Sequence, residues 1–202
     1  MSNFTNYTEV SADYDVDRKA SASDVIVALI QTHLKKNLSV LHHLEKSPDG
    51  IHYDQAQKTL EQAYRILKPG GILAITTGTP TLCESCWIFN LHEDVLKRYK
   101  MRFMSVNQLK KILTESGFKV LNTLNVTGRE IFESYTELEG PLRPSFRNNV
   151  SYFAEATPDE VEQIISLVTK LKDSNELQNF YDKHDKSDEI GLFAFCISRA
   201  VK

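Results

Sequence analysis

Apolar residues recur at the three- and four-residue spacing of an amphipathic helix in four segments of the chain. The segments follow Ser21, the turn at residues 47–50, Ser105 and Thr157. Ser21 and Ser105 open capping-box patterns, and Thr157 is followed by a proline and two acidic residues, which is typical of a helix start. The first helix is predicted to end near Lys36–Asn37, and the second stops at the prolyl-glycine turn of residues 68–71. The third ends at Gly117.

Short apolar runs alternate with these helices and predict strands. The runs are a strand tail at Val40–Leu41, followed by segments at Ile72–Gly78, Phe118–Val126 and Ile190–Ser198. Strands that alternate with helices predict an α/β domain with a mainly parallel, doubly wound sheet. The last run has no crossover helix immediately before it, which allows an antiparallel closing strand, and it is too apolar for an edge facing water.

Composition narrows the classes of function. The net charge of −3 and the absence of a basic block give no sign of nucleic-acid binding. No apolar run approaches the ~20 residues of a membrane-spanning helix. The polar N-terminus resembles no secretory signal, and three cysteines form no disulfide framework, so we expect a cytoplasmic protein.

Four motifs carry a resemblance to a known family. They are YDVDR (14–18), LHHLE (41–45), YRILKPGGILAI (64–75) and FMSVNQLKKILTESGFKV (103–120). In this combination the chain resembles the class I S-adenosylmethionine-dependent methyltransferases of the type 11 group. In that family LHHL closes the fourth strand, and LKPGG precedes the fifth.

The resemblance implies transfer of a methyl group from S-adenosyl-L-methionine to a small-molecule substrate. It implies one domain over residues 1–202: an N-terminal cover segment and helix (1–38), core βα units (39–127), a helical insertion (128–189) and a closing strand (190–202).

The resemblance also places candidate site residues. Tyr14 and Arg18 lie in the segment that covers the donor pocket, where Arg18 pairs with the donor carboxylate, unless this segment is simply solvated. His42 and His43 follow a strand whose carboxyl end faces the ligand crevice, so they line the pocket or transfer a proton, or one of them satisfies a helix start. Trp87 and Phe89 fall in the substrate-covering insertion, with core packing as the alternative.

One departure from the family pattern bears on activity. The family has a G-x-G-x-G turn after its first strand and an acidic residue that binds the ribose, but none of the eight glycines here forms a G-x-G pair. The missing segment is expected between Leu38 and Ser39, and a splice form, a deletion or a gene-model error would each produce it. The truncated chain is then either an enzyme with impaired donor binding or a non-catalytic remnant that associates through an exposed sheet edge.

Cys83 and Cys86 form a C-x-x-C pair near Trp87. A structural zinc site needs a second pair of ligands, which the sequence does not supply at suitable spacing, so no metal site is predicted. A redox dithiol is a second interpretation, and packing of two small apolar side chains is the third, which we favour.

Overall fold

The computed structural model describes residues 37–38, 41–44, 52–126 and 133–202. The strands are β1 (Asn37–Leu38), β2 (Ile72–Thr77), β3 (Phe118–Val126) and β4 (Phe193–Ala200). The α-helices are α1 (Leu41–Leu44), α2 (Asp54–Ile66), α3 (Pro80–Glu84), α4 (Glu93–Lys100), α5 (Val106–Glu115), α6 (Pro144–Asn149), α7 (Pro158–Asp173), α8 (Leu177–His184) and α9 (Ser187–Ile190). Short 3-10 helices lie at Trp87–Leu91, Glu133–Thr136, Gly140–Leu142 and Phe153–Glu155.

The four strands form one sheet in the order β1-β2-β4-β3. β1 pairs with β2 in parallel, and β4 runs antiparallel to both β2 and β3. Three strands therefore share one direction and β4 opposes them, which confirms the α/β class and the antiparallel closing strand. β4 is internal because its apolar residues alternate between two covered faces, whereas β3, with exposed polar positions, is an edge of the described sheet.

Local sequence signals position the long helices. Ser105 accepts a hydrogen bond from the Gln108 N–H at 3.2 Å, and the Gln108 side chain accepts one from the Ser105 N–H at 2.8 Å. Thr157 and Glu160 form the same reciprocal cap on α7. These capping boxes satisfy backbone donors that would otherwise be unpaired at the helix start, and they confirm the predicted starts of α5 and α7.

Two predicted boundaries are wrong. Leu41–Leu44, predicted as the end of a strand, is the short helix α1, and the strand lies earlier, at Asn37–Leu38, where we expected the end of a helix. The apolar pair Val40–Leu41 does not distinguish the end of a buried strand from a buried helical turn, and only pairing with β2 decides between them. The closing strand begins at Phe193, because Ser187–Ile190 is helical and ends at Gly191 with φ of +98°.

Three apolar clusters organise the described residues. The sheet core packs α2 and α5 against one face of the sheet; its most buried members include Leu60, Leu73, Ile75, Leu109 and Leu113. The cover core joins the segment 83–103 to the helices that lie between β3 and β4. The outer-face cluster lies on the other face of the sheet and consists of Ala74 and Phe195 with Leu124, Val126 and Ile197 around them.

The helical region between β3 and β4 contains α6 to α9 within the described residues 133–202. In the part of the chain that the structure describes, no helix is long and apolar enough to cross a bilayer.

Candidate functional site

The carboxyl end of β2 is the part of the sheet where ligands bind in open α/β folds. Here β2 ends at Thr77, and Gly78 and Thr79 connect it to α3. Thr79 caps α3 by accepting a hydrogen bond from the Leu82 N–H at 3.2 Å. All three residues are buried, so the strand end is enclosed by protein rather than open to solvent.

Phe103 fills the space beside Gly78. A Cβ added at Gly78 would lie 2.7 Å from Cε1 of the Phe103 ring, closer than any side chain tolerates. The ring is held in turn by its backbone, since the Tyr53 hydroxyl donates to the Phe103 carbonyl at 2.9 Å. The glycine is thus required for a close approach between the strand end and an aromatic ring.

Phe103 continues into a run of aromatic rings in the cover core. Its ring centroid lies 5.0 Å from that of Tyr99, and Tyr99 lies 4.9 Å from Phe89. Tyr152 adds an edge contact with Tyr99 at 5.7 Å. These separations are favourable for aromatic pairs, so the cover is joined to the strand end through packed rings.

The polar groups of the cover core have specific partners. The Tyr152 hydroxyl donates to the His92 carbonyl and accepts from the His92 N–H, both at 3.1 Å. The Tyr99 hydroxyl pairs with that of Ser151 at 3.0 Å. Burial raises the pKa of both tyrosines above their ordinary value, so these hydroxyls stay protonated near neutral pH.

A buried ion pair ties the two parts of the cover together. Arg102, just before Phe103, pairs with Glu155, and their side chains are only 12% and 2% exposed. Arg98 on α4 donates to the Glu155 carbonyl at 3.0 Å and pairs with the Glu160 carboxylate on α7. The position of the Phe103 backbone is thereby linked to the helices between β3 and β4.

The predicted pocket residues fall at different places. His42 and His43 lie in α1, which follows the parallel strand β1 along the chain. Tyr14 and Arg18 lie outside the residues that the structure describes. Proton transfer by either histidine and donor contact by Tyr14 or Arg18 stay predictions.

Trp87 and Phe89 lie in the 3-10 helix Trp87–Leu91 and are 0% and 4% exposed. The indole N–H of Trp87 donates to the Tyr135 carbonyl at 2.7 Å, and its backbone N–H donates to Asp185 at 3.3 Å. The ring of Phe89 contacts Tyr99 and Tyr152. Both side chains are packed in the cover core, and a substrate contact by either one stays a prediction.

The glycines of LKPGG shape a turn that holds the end of β4. Gly70 has φ of +71°, and its N–H donates to the Ala200 carbonyl at 3.2 Å. The Gly71 carbonyl accepts from the Ala200 N–H at 2.9 Å. The turn lies at the opposite end of β2 from Gly78, so these glycines act through the backbone ladder.

The C-x-x-C cysteines are free thiols packed in the cover core, 3% and 1% exposed. Burial raises the pKa of both thiols well above the usual range, so they are poor nucleophiles near neutral pH. In residues 37–38, 41–44, 52–126 and 133–202, no group of three or more His, Cys, Asp and Glu side chains is arranged to hold a metal ion. The burial of both thiols and their raised pKa values favour packing over redox chemistry.

Gly78, Phe103 and Tyr53 lie at the carboxyl end of β2, but the sequence predicted none of them as a site residue. The available signal was Gly78 itself, which follows a buried strand at its carboxyl end. Phe103 and Tyr53 gave no signal, because their contact joins residues 50 positions apart.

Comparison with solved structures gives the fold independently. A protein assigned as a methyltransferase of an antibiotic biosynthesis pathway in Anabaena variabilis superposes with a TM-score of 0.58 and 19% identity, over 80% of this chain and 64% of that one. Phosphoethanolamine N-methyltransferase 2 of Haemonchus contortus, solved with S-adenosyl-L-methionine, gives a TM-score of 0.39 and 20% identity, over 82% of this chain and 32% of that one. A Galdieria sulphuraria protein assigned as a sarcosine dimethylglycine methyltransferase gives 0.39 and 17%, over 82% and 51%.

The chain spans less than two thirds of the length of each of these three proteins. No family model and no curated protein matches it. The superposition on the Anabaena variabilis protein covers most of this chain at a score that indicates a common fold. The chain therefore has the α/β fold of the class I S-adenosylmethionine-dependent methyltransferases, represented here by part of the sheet and the helices around it.

Proposed function

We propose that this chain carries the substrate-covering half of an S-adenosylmethionine-dependent methyltransferase that acts on a small molecule. The observation that carries the proposal is the strand order β1-β2-β4-β3 with β4 reversed and a helical cover at the carboxyl end of β2, in a fold shared with the Anabaena variabilis protein. Methyl transfer is an in-line displacement that depends mainly on the positioning of two reactants.

The described residues do not fit the methyl donor. A donor of this size needs a glycine-lined turn that lets the backbone approach it. The glycine at the carboxyl end of β2 is Gly78, and the Phe103 ring occupies the space beside it. With no G-x-G pair among the 202 residues, we propose that the chain alone does not bind S-adenosyl-L-methionine at micromolar concentrations.

Isothermal titration calorimetry tests this proposal. We expect no saturable heat when S-adenosyl-L-methionine is added to the purified chain at concentrations where the intact enzymes of this fold bind it. Cooperative thermal unfolding of the same sample is the control, because it shows that the absence of heat does not come from an unfolded protein. A dissociation constant in the micromolar range would overturn the proposal.

A non-catalytic role through protein association is the second candidate. β1 is an edge of the described sheet and has only two residues, so little of its backbone is protected by pairing. An unpaired edge is a template for association with another chain. Light scattering on a size-exclusion column distinguishes the two: a self-associated species supports this candidate, and a stable monomer argues against it.

Cytoplasmic localisation belongs to the same proposal. All three cysteines are free and buried, which suits a reducing compartment. We propose no nucleic-acid or membrane partner, in keeping with the net charge of −3.

A further inference from the structure

Cationic side chains lie together at the end of the sheet opposite Gly78. The last turn of α2, the start of β3 and the end of β4 meet there. The Tyr64 hydroxyl donates to the Val201 carbonyl, and the Val201 N–H donates to the Gly117 carbonyl at 3.1 Å. These elements carry five exposed lysines and arginines, which we call the basic end: Arg65, Lys68, Lys119, Arg199 and Lys202.

Two of these cations are direct neighbours across the sheet. Lys119 of β3 is paired in register with Arg199 of β4, and Ile72 of β2 is the next residue on the same rung. Like charges at directly opposed positions of antiparallel strands destabilise the sheet, because the two side chains lie on the same face. No ion pair formed within the described residues includes Lys119 or Arg199. A carboxylate placed between them would replace this repulsion with attraction.

Lys202 satisfies the carbonyl groups at the end of α2. Its ammonium donates to the Leu67 carbonyl at 2.6 Å and to the Arg65 carbonyl at 3.2 Å. A cation near a helix C-terminus often takes this position. The Arg65 side chain donates to the neutral Gln62 side chain at 2.9 Å, and no carboxylate of the described residues forms an ion pair with Arg65 or Lys68. The charges of Arg65 and Lys68 are therefore left for an external partner.

Carboxylates are scarce in the sheet part of the chain and abundant in the helical region between β3 and β4. Residues 52–126 and 193–202 contain twelve lysines and arginines against six aspartates and glutamates, whereas residues 133–192 contain six against thirteen. The acids closest to the basic end along the chain are Glu115, which pairs with Lys111 at 3.9 Å, and Glu61, which accepts from Gln57 at 3.3 Å. The basic end therefore attracts anions although the net charge of the chain is −3.

The two most exposed large apolar side chains of the described residues also lie at the basic end. Ile66, next to Arg65, is 51% exposed, and Val201, next to Lys202, is 60% exposed. A phosphate backbone offers no apolar group to such side chains, whereas a polypeptide presents carboxylates and apolar side chains side by side. This combination favours a protein partner.

We propose that the basic end binds an acidic segment of another protein, in which aspartate or glutamate side chains are interspersed with apolar ones. A carboxylate of this segment lies between Lys119 and Arg199, and its apolar side chains contact Ile66 and Val201. The inference goes beyond the proposed function, because this surface lies at the opposite end of β2 from Gly78.

A second copy of this chain fits the basic end less well. Four acids of the helical region already pair with cations of the same chain: Glu137, Glu139, Glu155 and Glu160. A contact between the basic end of one copy and the helical region of the next would also be head-to-tail, so it would close into a ring or continue as a filament.

Fluorescence anisotropy with the full chain tests the proposal. The probe is a short labelled peptide in which pairs of glutamates flank single leucines, and the control probe has glutamine at every glutamate position. We expect saturable binding of the acidic probe, with an affinity that falls as salt is added, and no binding of the glutamine probe. Absence of saturable binding, or equal binding of the two probes, would overturn the proposal.

Lys119→Glu separates binding from folding. It places a carboxylate opposite Arg199, so the Tm should rise by about 1–4 °C. The Kd for the acidic probe should increase by about tenfold or more, because the site for its carboxylate is lost. Lys170→Glu, on an exposed position of α7, changes the net charge equally and should change the Kd by less than about twofold. A lower Tm or an unchanged affinity in Lys119→Glu, or an equal loss of affinity in both variants, would overturn the proposal.

Three further measurements identify the class of partner. Ile66→Ser should weaken binding of the acidic probe by about three- to tenfold, since an apolar contact is lost, and an unchanged affinity would overturn the proposal. Tighter binding of a duplex DNA oligonucleotide or of phosphatidylserine vesicles than of the peptide would show a nucleic-acid or membrane surface instead. Light scattering of the chain alone tests the second copy: a salt-sensitive oligomer that is absent in Lys119→Glu would also overturn the proposal.

Discussion

The sheet core and the cover core are buried to a similar degree, but different side chains fill them. The sheet core consists mainly of aliphatic residues from α2, α5 and the strands, and its backbone polar groups are satisfied by the strand ladders. The cover core is rich in aromatic residues from short helices, and many of them carry polar atoms. The two cores meet where Phe103 packs against Gly78.

This difference determines what each core tolerates. A buried aliphatic side chain needs only a partner of the right volume, whereas a buried hydroxyl, indole or charge needs a particular donor or acceptor. In the cover core these partners are few and distant in sequence, as in Arg102–Glu155 and Trp87–Tyr135. We therefore expect the stability of the cover core to depend on the polarity of its buried side chains. At its junction with the sheet core, stability should depend on side-chain volume.

The largest effect is expected from removal of the buried charge in the cover. Glu155→Gln keeps the side-chain shape but leaves the Arg102 guanidinium without its counter-charge in a site where the two side chains are 12% and 2% exposed. We expect a loss of about 3–5 kcal/mol in the free energy of unfolding, measured by urea denaturation.

Glu139→Gln is the matched control for that measurement. The Glu139–Lys172 pair has side chains that are 59% and 46% exposed, so its loss should cost less than about 1 kcal/mol. Equal losses of unfolding free energy in the two variants would show that burial does not increase the contribution of an ion pair in the cover core.

The buried thiols predict a loss of stability at alkaline pH. Burial raises the pKa of Cys83 and Cys86 in the folded protein, while the unfolded chain ionises near the ordinary value of about 8.5. The unfolded state therefore binds fewer protons above that pH, and stability is present below it and falls as the pH rises. At about 1.4 kcal/mol per pH unit for each thiol, the two together should cost about 2–4 kcal/mol by pH 10.

The pKa values of the buried Tyr99 and Tyr152 are also raised, so these residues contribute to the same loss of stability. Substitution of both thiols separates the contribution of the cysteines from that of the tyrosines. In a Cys83→Ala/Cys86→Ala variant, the decline in unfolding free energy between about pH 8 and pH 10 should be much shallower than in the unmodified chain. An unchanged slope would show that these thiols are ionised or exposed in the folded protein.

The smallest effect concerns the junction between the cores. Gly78→Ala places a Cβ 2.7 Å from the Phe103 ring, and we expect a loss of about 1–3 kcal/mol in unfolding free energy. In a Phe103→Leu background the same substitution should cost less, because the ring atoms that it meets are gone. Additive effects in this double-mutant cycle would mean that the two residues do not constrain each other.

Much of the fold followed from local patterns. The capping residues Ser105 and Thr157, the turn at Gly70 and the apolar runs of β2 and β3 predicted elements that the structure contains. These signals operate over a few residues, so they can be recognised without knowledge of the tertiary contacts. The four-residue run Leu41–Leu44 was misassigned as a strand because its conformation depends on what it packs against.

The candidate site was less accessible to prediction. The resemblance placed His42 and His43 at a strand end and Trp87 and Phe89 in the substrate-covering insertion. The structure puts the two histidines in α1 after β1 and the two aromatic residues in the cover core. Gly78 and Phe103 were not selected, because the need for a glycine there arises only when a ring from another element occupies its Cβ position.

The sequence by itself determined the class of this protein: alternating apolar strands and capped amphipathic helices specify an α/β sheet, and the missing G-x-G pair could be read directly. Only the tertiary structure decided how the two cores are joined and which polar groups pair inside the cover. The physical reason is one of distance along the chain. Helix caps and turns are satisfied within a few residues, whereas the Gly78–Phe103 packing and the Arg102–Glu155 ion pair exist only after separate elements have come together.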